Sequence, residues 1–260
     1  DTRLLFQETP GLLSQYSRAL FARGNNDKSY TLPDLEAWLS DVHIIADDVS
    51  DYAAVCGFTS DNNLLPITYP HILAFPLHME LMLHERFPLA LMGLVHIRNE
   101  ITQRRAIRLD EVLNIRCTFG AMRKTDKGLE FDIRTEISSH GEIVWEAVST
   151  NLSRKGASKG NKNQGPRPQP TPYNQQEAWS LASNLGRRYA RVSGDSNPIH
   201  LFALTARLFG FPGHIAHGMW SKARAAATLH PLLGKEQCVL TTEFKLPVFL
   251  PSQVNLHWSE

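Results

Sequence analysis

Between residues 95 and 152 apolar and polar positions alternate with a period of two. "VHIRNEITQ" (Val95–Gln103) and the stretches at 112–120, 129–138 and 142–152 are rich in β-branched residues and predict four strands. Lys127-Gly128 and His140-Gly141 supply hairpin turns between the later ones. Elsewhere the rhythm is helical. "GMWSKARAAATLH" predicts an Ala-rich helix that starts near Gly218 and stops before Pro231. "IHLFALTARLF" predicts a shorter one ending at Gly210, with Asn197 as N-cap and Pro198 in the first position. "ILAFPLHMELML", within the stretch from Tyr69, suits a core helix, and a further strand is expected over 253–258. A helix followed by a run of antiparallel strands is an α+β unit, a sheet wrapped around a helix.

The pattern stops at Ser153. "SRKGASKGNKNQGPRPQPTP" has three Gly, four Pro and almost no apolar residue, so it cannot bury a core and reads as a flexible linker over 153–172. It divides the chain into halves of about 150 and about 90 residues. The halves are related. "EAW" occurs at Glu36 and again at Glu177, and "DYAAVCGF" from Asp51 matches "RYARVSGD" from Arg188. "YPHILAFPLHMELMLHERFP" matches "FPGHIAHGMWSKARAAATLHP" from Phe211, and the stretch from Val95 matches that from Val239. Four weak matches in one order argue for duplication of a single unit. Nothing in the second half corresponds to 129–152, so the native chain is expected to continue beyond Glu260; because it opens on Asp1, a start further upstream stays open.

Composition narrows the function classes. The 260 residues are 42% hydrophobic and 20% charged, ordinary globular usage, and no run approaches the roughly 18 apolar residues of a membrane span. Net charge is +1, and the linker holds five basic residues and no acid, so the remainder has 22 basic against 26 acidic residues. The basic character is local, and no nucleic-acid partner is expected. Cys56, Cys117 and Cys238 are odd in number and far apart, which reads as reduced, packed thiols in a cytoplasmic protein.

The candidate chemistry lies in "SGDSNPIHLFALTARLFGFPGHIAHGM" (Ser193 to Met219). Asp195 falls just before a helix start and His200 in its first turn, so both can face one cavity and grip one water as an acid–base pair. Gly218 opens the next helix. Its N–H is one of the unpaired donors of a helix N-terminus, and the missing side chain lets a carbonyl oxygen approach, as in an oxyanion hole.

These residues resemble the signature of the R-specific enoyl-CoA hydratases in the MaoC-like dehydratase family of hotdog folds: an aromatic (Tyr189), then S-G-D-x-N-P-I-H, a short helix, G-F, and I-A-H-G-M. The resemblance is strong over 189–258 and weak over 34–152. It implies a double hotdog: a degenerate first unit in 1–152, the linker 153–172, and a catalytic unit in 173–260. It implies reversible hydration of trans-2-enoyl-CoA to (R)-3-hydroxyacyl-CoA, with Asp195 and His200 catalytic, Gly218 N–H on the thioester carbonyl, and Asn197, Ser193 and His217 shaping the substrate pocket. No cofactor and no metal are expected, since the thioester acidifies Cα. The partner is an acyl-CoA or acyl-carrier-protein thioester; no membrane is expected, and monomer and homodimer both stay open.

Three further expectations follow. The first half lacks a site, since "CGFTSDNNLLPIT" has no matching His and Pro76, set in the place of Gly218, has no N–H. His214 and His217 have metal-pair spacing but no third ligand, and His71, His78, His84 and His96 read as packing or surface residues. Arg187, Arg188, Lys222, Arg224 and Lys245 are candidates for coenzyme A phosphates, each more often a solvated charge. The rivals are a carrier-protein dehydratase and a non-catalytic acyl-thioester-binding subunit. A hotdog thioesterase would place a carboxylate on the central helix, and "GMWSKARAAATLH" has none.

Overall fold

A computed structural model describes residues 2–21, 30–59, 63–154, 173–233 and 237–260. The chain begins with β1 (Thr2–Phe6), α1 (Leu12–Phe21), β2 (Leu35–His43), α2 (Ala46–Cys56) and the long α3 (Tyr69–Leu83). The alternating stretch then forms β3 (Val95–Gln103), β4 (Val112–Thr125), β5 (Gly128–Ser139) and β6 (Glu142–Ser153). The second half contains β7 (Gln175–Leu181), α4 (Leu185–Ser193), α5 (Pro198–Leu201), α6 (Ala203–Leu208), α7 (Gly218–Leu229), β8 (Cys238–Glu243) and β9 (Ser252–Trp258). The bulk of the expected linker, residues 155–172, lies outside the described residues.

A seven-stranded sheet runs β1-β2-β4-β5-β6-β3-β8. It is antiparallel except for β1, which lies parallel to β2. The sheet curls around α3, whose buried Ala74, Leu77 and Leu81 meet inward-facing Phe131, Ile133 and Ile137 of β5 in one hydrophobic core. Trp145 of β6 is fully buried there and donates Nε1–H to Ile67 O at 2.9 Å, which satisfies the polar end of the largest core side chain. On β5, buried Glu130 and Asp132 are matched by Arg98 and by Arg123, the latter bidentate at 2.6 and 2.7 Å. β7 and β9 form a second, two-stranded sheet.

Both expected central helices are present, α3 in the first half and α7 in the second, and the fold is an α+β double hotdog. The internal repeat is visible in detail. α2 and α4 end alike, on Gly57 (φ 81°) and Gly194 (φ 74°), whose N–H groups bond to Ala53 O and Ala190 O, both at 2.8 Å. Their matching residues Tyr52 and Tyr189 meet with ring centroids 6.2 Å apart. The two "EAW" segments lie in β2 and β7. In each an arginine stacks on the Trp ring, Arg116 on Trp38 at 5.3 Å and Arg224 on Trp179 at 4.9 Å, while pairing with the Glu of the same segment.

The halves are joined by exchange across the sheet. β8 of the second half pairs antiparallel with β3 of the first, Arg98 opposite Glu243 through Gln103 opposite Cys238. Buried Lys222 of α7 reinforces this seam, its ammonium donating to Asn99 O (2.9 Å), Asn99 Oδ1 (2.6 Å) and Leu240 O (2.7 Å). Lys222 is therefore a buried structural donor, neither the phosphate contact nor the solvated surface charge between which the sequence left it. Arg224 is likewise committed, to Glu177 and Trp179. Cys56 and Cys117 are buried thiols that burial pushes up to about 12, as packed rather than reactive cysteines require.

Three local expectations need correction. The turn joining β4 and β5 is Asp126-Lys127, with Gly128 already in the strand at φ +135°, a conformation reserved for glycine. The helix expected from Ile199 to Gly210 is broken: Phe202 is extended (φ −143°, ψ 148°), separating α5 from α6. Arg187 stabilises the break by stacking on the Phe202 ring at 4.9 Å and donating to Leu201 O at 2.8 Å. Pro76 does not occupy the place of Gly218. Gly218 is the first residue of α7, whereas Pro76 lies inside α3; the first residue of α3 is Tyr69. The conclusion about that half survives for a different reason, because the Tyr69 N–H is already bonded to Pro66 O at 2.8 Å.

Candidate active site

The site is built by the loop that leaves α4. Gly194 turns the chain in the left-handed region, and the loop folds back on itself: Asp195 N–H donates to Ser193 Oγ (3.2 Å) and Asn197 N–H to Asp195 Oδ1 (3.1 Å). Asn197 then caps α5 by accepting Ile199 N–H at 3.3 Å, and Pro198 takes the first helical position. This places His200, buried, in the single turn of α5. Its Nδ1 lies 2.8 Å from Ile215 O, and a carbonyl only accepts, so Nδ1 carries the proton and Nε2 is left with a bare lone pair.

His217, immediately before α7, stacks under His200 with ring centroids 3.8 Å apart and donates Nε2–H to Asp195 O at 2.9 Å. Its Nδ1 is enclosed without a partner. His217 thus lines the cavity but offers no free ring nitrogen to a ligand, and its work is to hold the loop and the His200 ring. His214 is committed as well, its Nε2 donating to Ser183 O at 2.8 Å. His214 and His217, whose spacing alone would suit a metal pair, each spend Nε2 on a backbone carbonyl. One ligand atom from each of Asp195, His200 and His217 does fall within 4.8 Å of the others. For His217, however, the bonded Nε2 and the enclosed Nδ1 make a poor third ligand.

Electrostatics separate the charges. Burial lowers the His200 pKa to about 3, helped by His217 and opposed by Asp195, and burial likewise lowers that of His217. Both imidazoles are neutral near pH 7. Burial works to raise the Asp195 pKa, but the histidines, a side-chain hydrogen bond and the Asn197 N–H outweigh it, so the carboxyl stays below its ordinary value and ionised. That hydrogen bond comes from Tyr16 of α1, whose hydroxyl donates to Asp195 Oδ1 at 2.7 Å. Tyr16 belongs to no motif and lies 179 residues away in sequence, so no local signal reveals it.

Asp195, His200 and Gly218 line one cavity of about 1630 Å³. The Gly218 N–H has no hydrogen-bond partner among the described residues. A side chain on Gly218 would meet the Phe244 ring at 3.0–3.1 Å, so Phe244 packs against the backbone there only because the residue is glycine. The opposite wall is apolar and comes from the first half: Ile72, Phe75, Met79 and Met82 of α3, then Leu91 and Leu94. His71, His78 and His96 line the same cavity and pack together, His71 5.4 Å from His78 and 6.0 Å from His96 between ring centroids, and burial lowers the pKa of all three. His84 is half-buried just after α3. In the first half Phe58 follows Gly57 where Asp195 follows Gly194, so no second carboxylate is present at that position.

The sequence is 35% identical, over 88% of this chain and 81% of the relative, to 3-hydroxyacyl-thioester dehydratase X of Mycobacterium tuberculosis. The chain belongs to the MaoC-like dehydratase family. The MaoC-like domain itself matches residues 166–259, which contain the Asp195 loop, α7 and β9. The crystal structure of HtdX from Mycobacterium tuberculosis superposes with a TM-score of 0.73 at 32% identity, covering 84% of this chain and 85% of that one. A MaoC-like dehydratase from Phytophthora capsici shares the fold at 19% identity, with a TM-score of 0.71 over 90% of this chain and 88% of that one. As a MaoC-like enzyme the protein is a hydratase/dehydratase. No helix among the described residues is long and apolar enough to cross a membrane.

Proposed function

We propose that the protein catalyses the reversible addition of water to a trans-2-enoyl thioester, giving the (R)-3-hydroxyacyl thioester, with Asp195 and His200 as the acid–base pair. One observation carries this reading: a carboxylate and a neutral imidazole present only acceptors to the same point of the cavity. Asp195 Oδ1 is saturated by Tyr16 and Asn197, which leaves Oδ2, and the His200 proton is held on Nδ1, which leaves Nε2. A water between two acceptors must donate both hydrogens, and its oxygen lone pairs then point away from the protein toward Cβ of the substrate.

Gly218 N–H takes the thioester carbonyl, where negative charge grows as the C–O bond forms at Cβ. The pair accepts one proton from the attacking water and delivers it to Cα, so it begins and ends the cycle unprotonated, and the same state serves dehydration. No metal or redox group is required by this chemistry. The acyl chain lies against the apolar wall from α3. We propose coenzyme A thioesters as substrates; carrier-protein thioesters are the comparison that decides the carrier. The relative in Mycobacterium tuberculosis is named a 3-hydroxyacyl-thioester dehydratase, which supports the substrate class. Hydration of crotonyl-CoA by the wild type, Asp195→Asn and His200→Ala tests the reading. Each variant is expected to lose about 10²–10⁴ in kcat, the usual range for acid–base groups. Wild-type turnover in both would refute the assignment.

A further inference from the structure

We infer that Tyr16 is a positioning residue of this active site, and that α1 is as much a part of the site as the Asp195 loop. The inference rests on Asp195 being a reacting group. α1 is wedged between that loop and the central helix of the degenerate half. Leu12 and Tyr16, one turn apart on the helix, meet the loop together. The Tyr16 hydroxyl donates to Asp195 Oδ1 at 2.7 Å, and Leu12 Cδ1 fills the place where a side chain on Gly194 would stand, 2.0 Å from an added Cβ. Gln15 and Arg18 hold α1 to α3. Gln15 Nε2 donates to Pro76 O and Glu80 Oε1, both at 2.8 Å, and Arg18 pairs with Glu80 at 2.9 Å. The contact is thus bolted from both sides.

Two consequences follow for the chemistry. With Oδ1 occupied by Tyr16 and Asn197, the carboxylate has one oxygen free and cannot rotate without breaking two bonds, so the water has one binding geometry. The hydrogen bond also helps to keep the carboxylate ionised. The groups facing Asp195 are His200 of α5, His217 before α7, Tyr189 of α4 and, farther off, His96 of β3. Burial works against the anion; attraction from His217 and His200 offsets it most, and the hydrogen bonds from Tyr16 and the Asn197 N–H add to them. Burial and the neighbouring carboxylate raise the phenol pKa, so Tyr16 donates at every working pH. The role also accounts for a first half without chemistry of its own: α3 is the platform on which α1 stands.

The test uses the full chain and crotonyl-CoA. Tyr16→Phe keeps the ring and removes the donor. Its kcat is expected to fall about tenfold to hundredfold, the range for a hydrogen bond to a charged group, with KM within about threefold. The acid limb of kcat/KM, which reports the Asp195–His200 pair, should move to higher pH. A packing role would leave that limb in place. Site-specific 2,3-difluorotyrosine at position 16 keeps shape and hydroxyl but strengthens the donor, so the limb should move to lower pH; this carries the test if the Phe variant unfolds. An unmoved limb in the fluorinated protein, or kcat of Tyr16→Phe within twofold of wild type while Asp195→Asn is inactive, overturns the role of Tyr16 alone. Wild-type activity in Asp195→Asn overturns the reading of the site beneath it.

Discussion

Lys222→Met should change how stability depends on pH. The wild-type ammonium is buried at the β3–β8 seam on three neutral oxygens, and burial brings its pKa down to about 7 from an ordinary 10.5. Below about pH 7 the lysine is protonated whether the chain is folded or unfolded, and folding carries the full penalty of burying the charge. Between about 7 and 10.5 the folded protein has released the proton while the unfolded chain keeps it. The unfolded state then binds more protons, so stability rises with pH across that window. One pH unit of such displacement corresponds to about 1.4 kcal/mol, so wild type should gain about 2–4 kcal/mol relative to Lys222→Met from pH 7 to 9.5. At a single pH the difference between the two proteins mixes this term with three acceptors left unpaired at about 1–3 kcal/mol each, whereas the pH slope does not. Urea unfolding of both proteins at half-unit steps, followed by circular dichroism, measures the slope. Curves that stay parallel within about 0.5 kcal/mol would refute a buried, proton-releasing lysine.

Two further substitutions probe the glycines of the site. Gly194→Ala places a methyl group in a left-handed residue and against Leu12, so it should cost about 1–3 kcal/mol in thermal unfolding and lower kcat by loosening α1; unchanged melting and turnover would contradict the packing of α1 on the loop. Gly218→Ala sets a methyl at 3.0–3.1 Å from the Phe244 ring beside the N–H, so kcat/KM for crotonyl-CoA should drop about tenfold or more, and full activity would remove Gly218 N–H from the carbonyl.

What could be read from the sequence was what local chemistry encodes. The strands at 95–152 are legible because one face is buried on α3, which forces the alternation, and His140-Gly141 is legible because both residues adopt the positive φ of a tight hairpin, 51° and 82°. The Asp195–His200 turn is legible because its cap, its Pro and its reacting groups fall within a few residues of one another. The misses are non-local. The kink at Phe202 depends on Arg187, across a helix boundary, and the parallel partner of β2 is a strand at the opposite end of α1. The burial of Lys222 depends on β3 and β8 meeting, which no composition of α7 announces: beside alanines on a helix, a lysine reads as solvated. Matching the repeats by sequence slips at α3, which has 15 residues against 12 in α7 and no shared anchor between their ends.

The two halves divide the labour of one site in a way that duplication alone does not explain. The second supplies every group that meets the reacting atoms, and it does so from a loop whose only charge is a carboxylate surrounded by neutral rings. Such an anion is costly unless donors converge on it. The Asn197 backbone N–H comes from the loop itself, but the side-chain donor, the Tyr16 hydroxyl, reaches in from the first half on α1. The first half also supplies the apolar wall of the cavity, the edge to which β8 bonds, and two of the three oxygens that hold Lys222. Losing "SGDSNPIH" from the first copy therefore removes a redundant site and leaves its structural contributions intact. Losing α3 or α1 would unmake the remaining site. Degeneration is tolerated at Phe58, where the carboxylate would stand, and should be resisted at Glu80, where α1 is held.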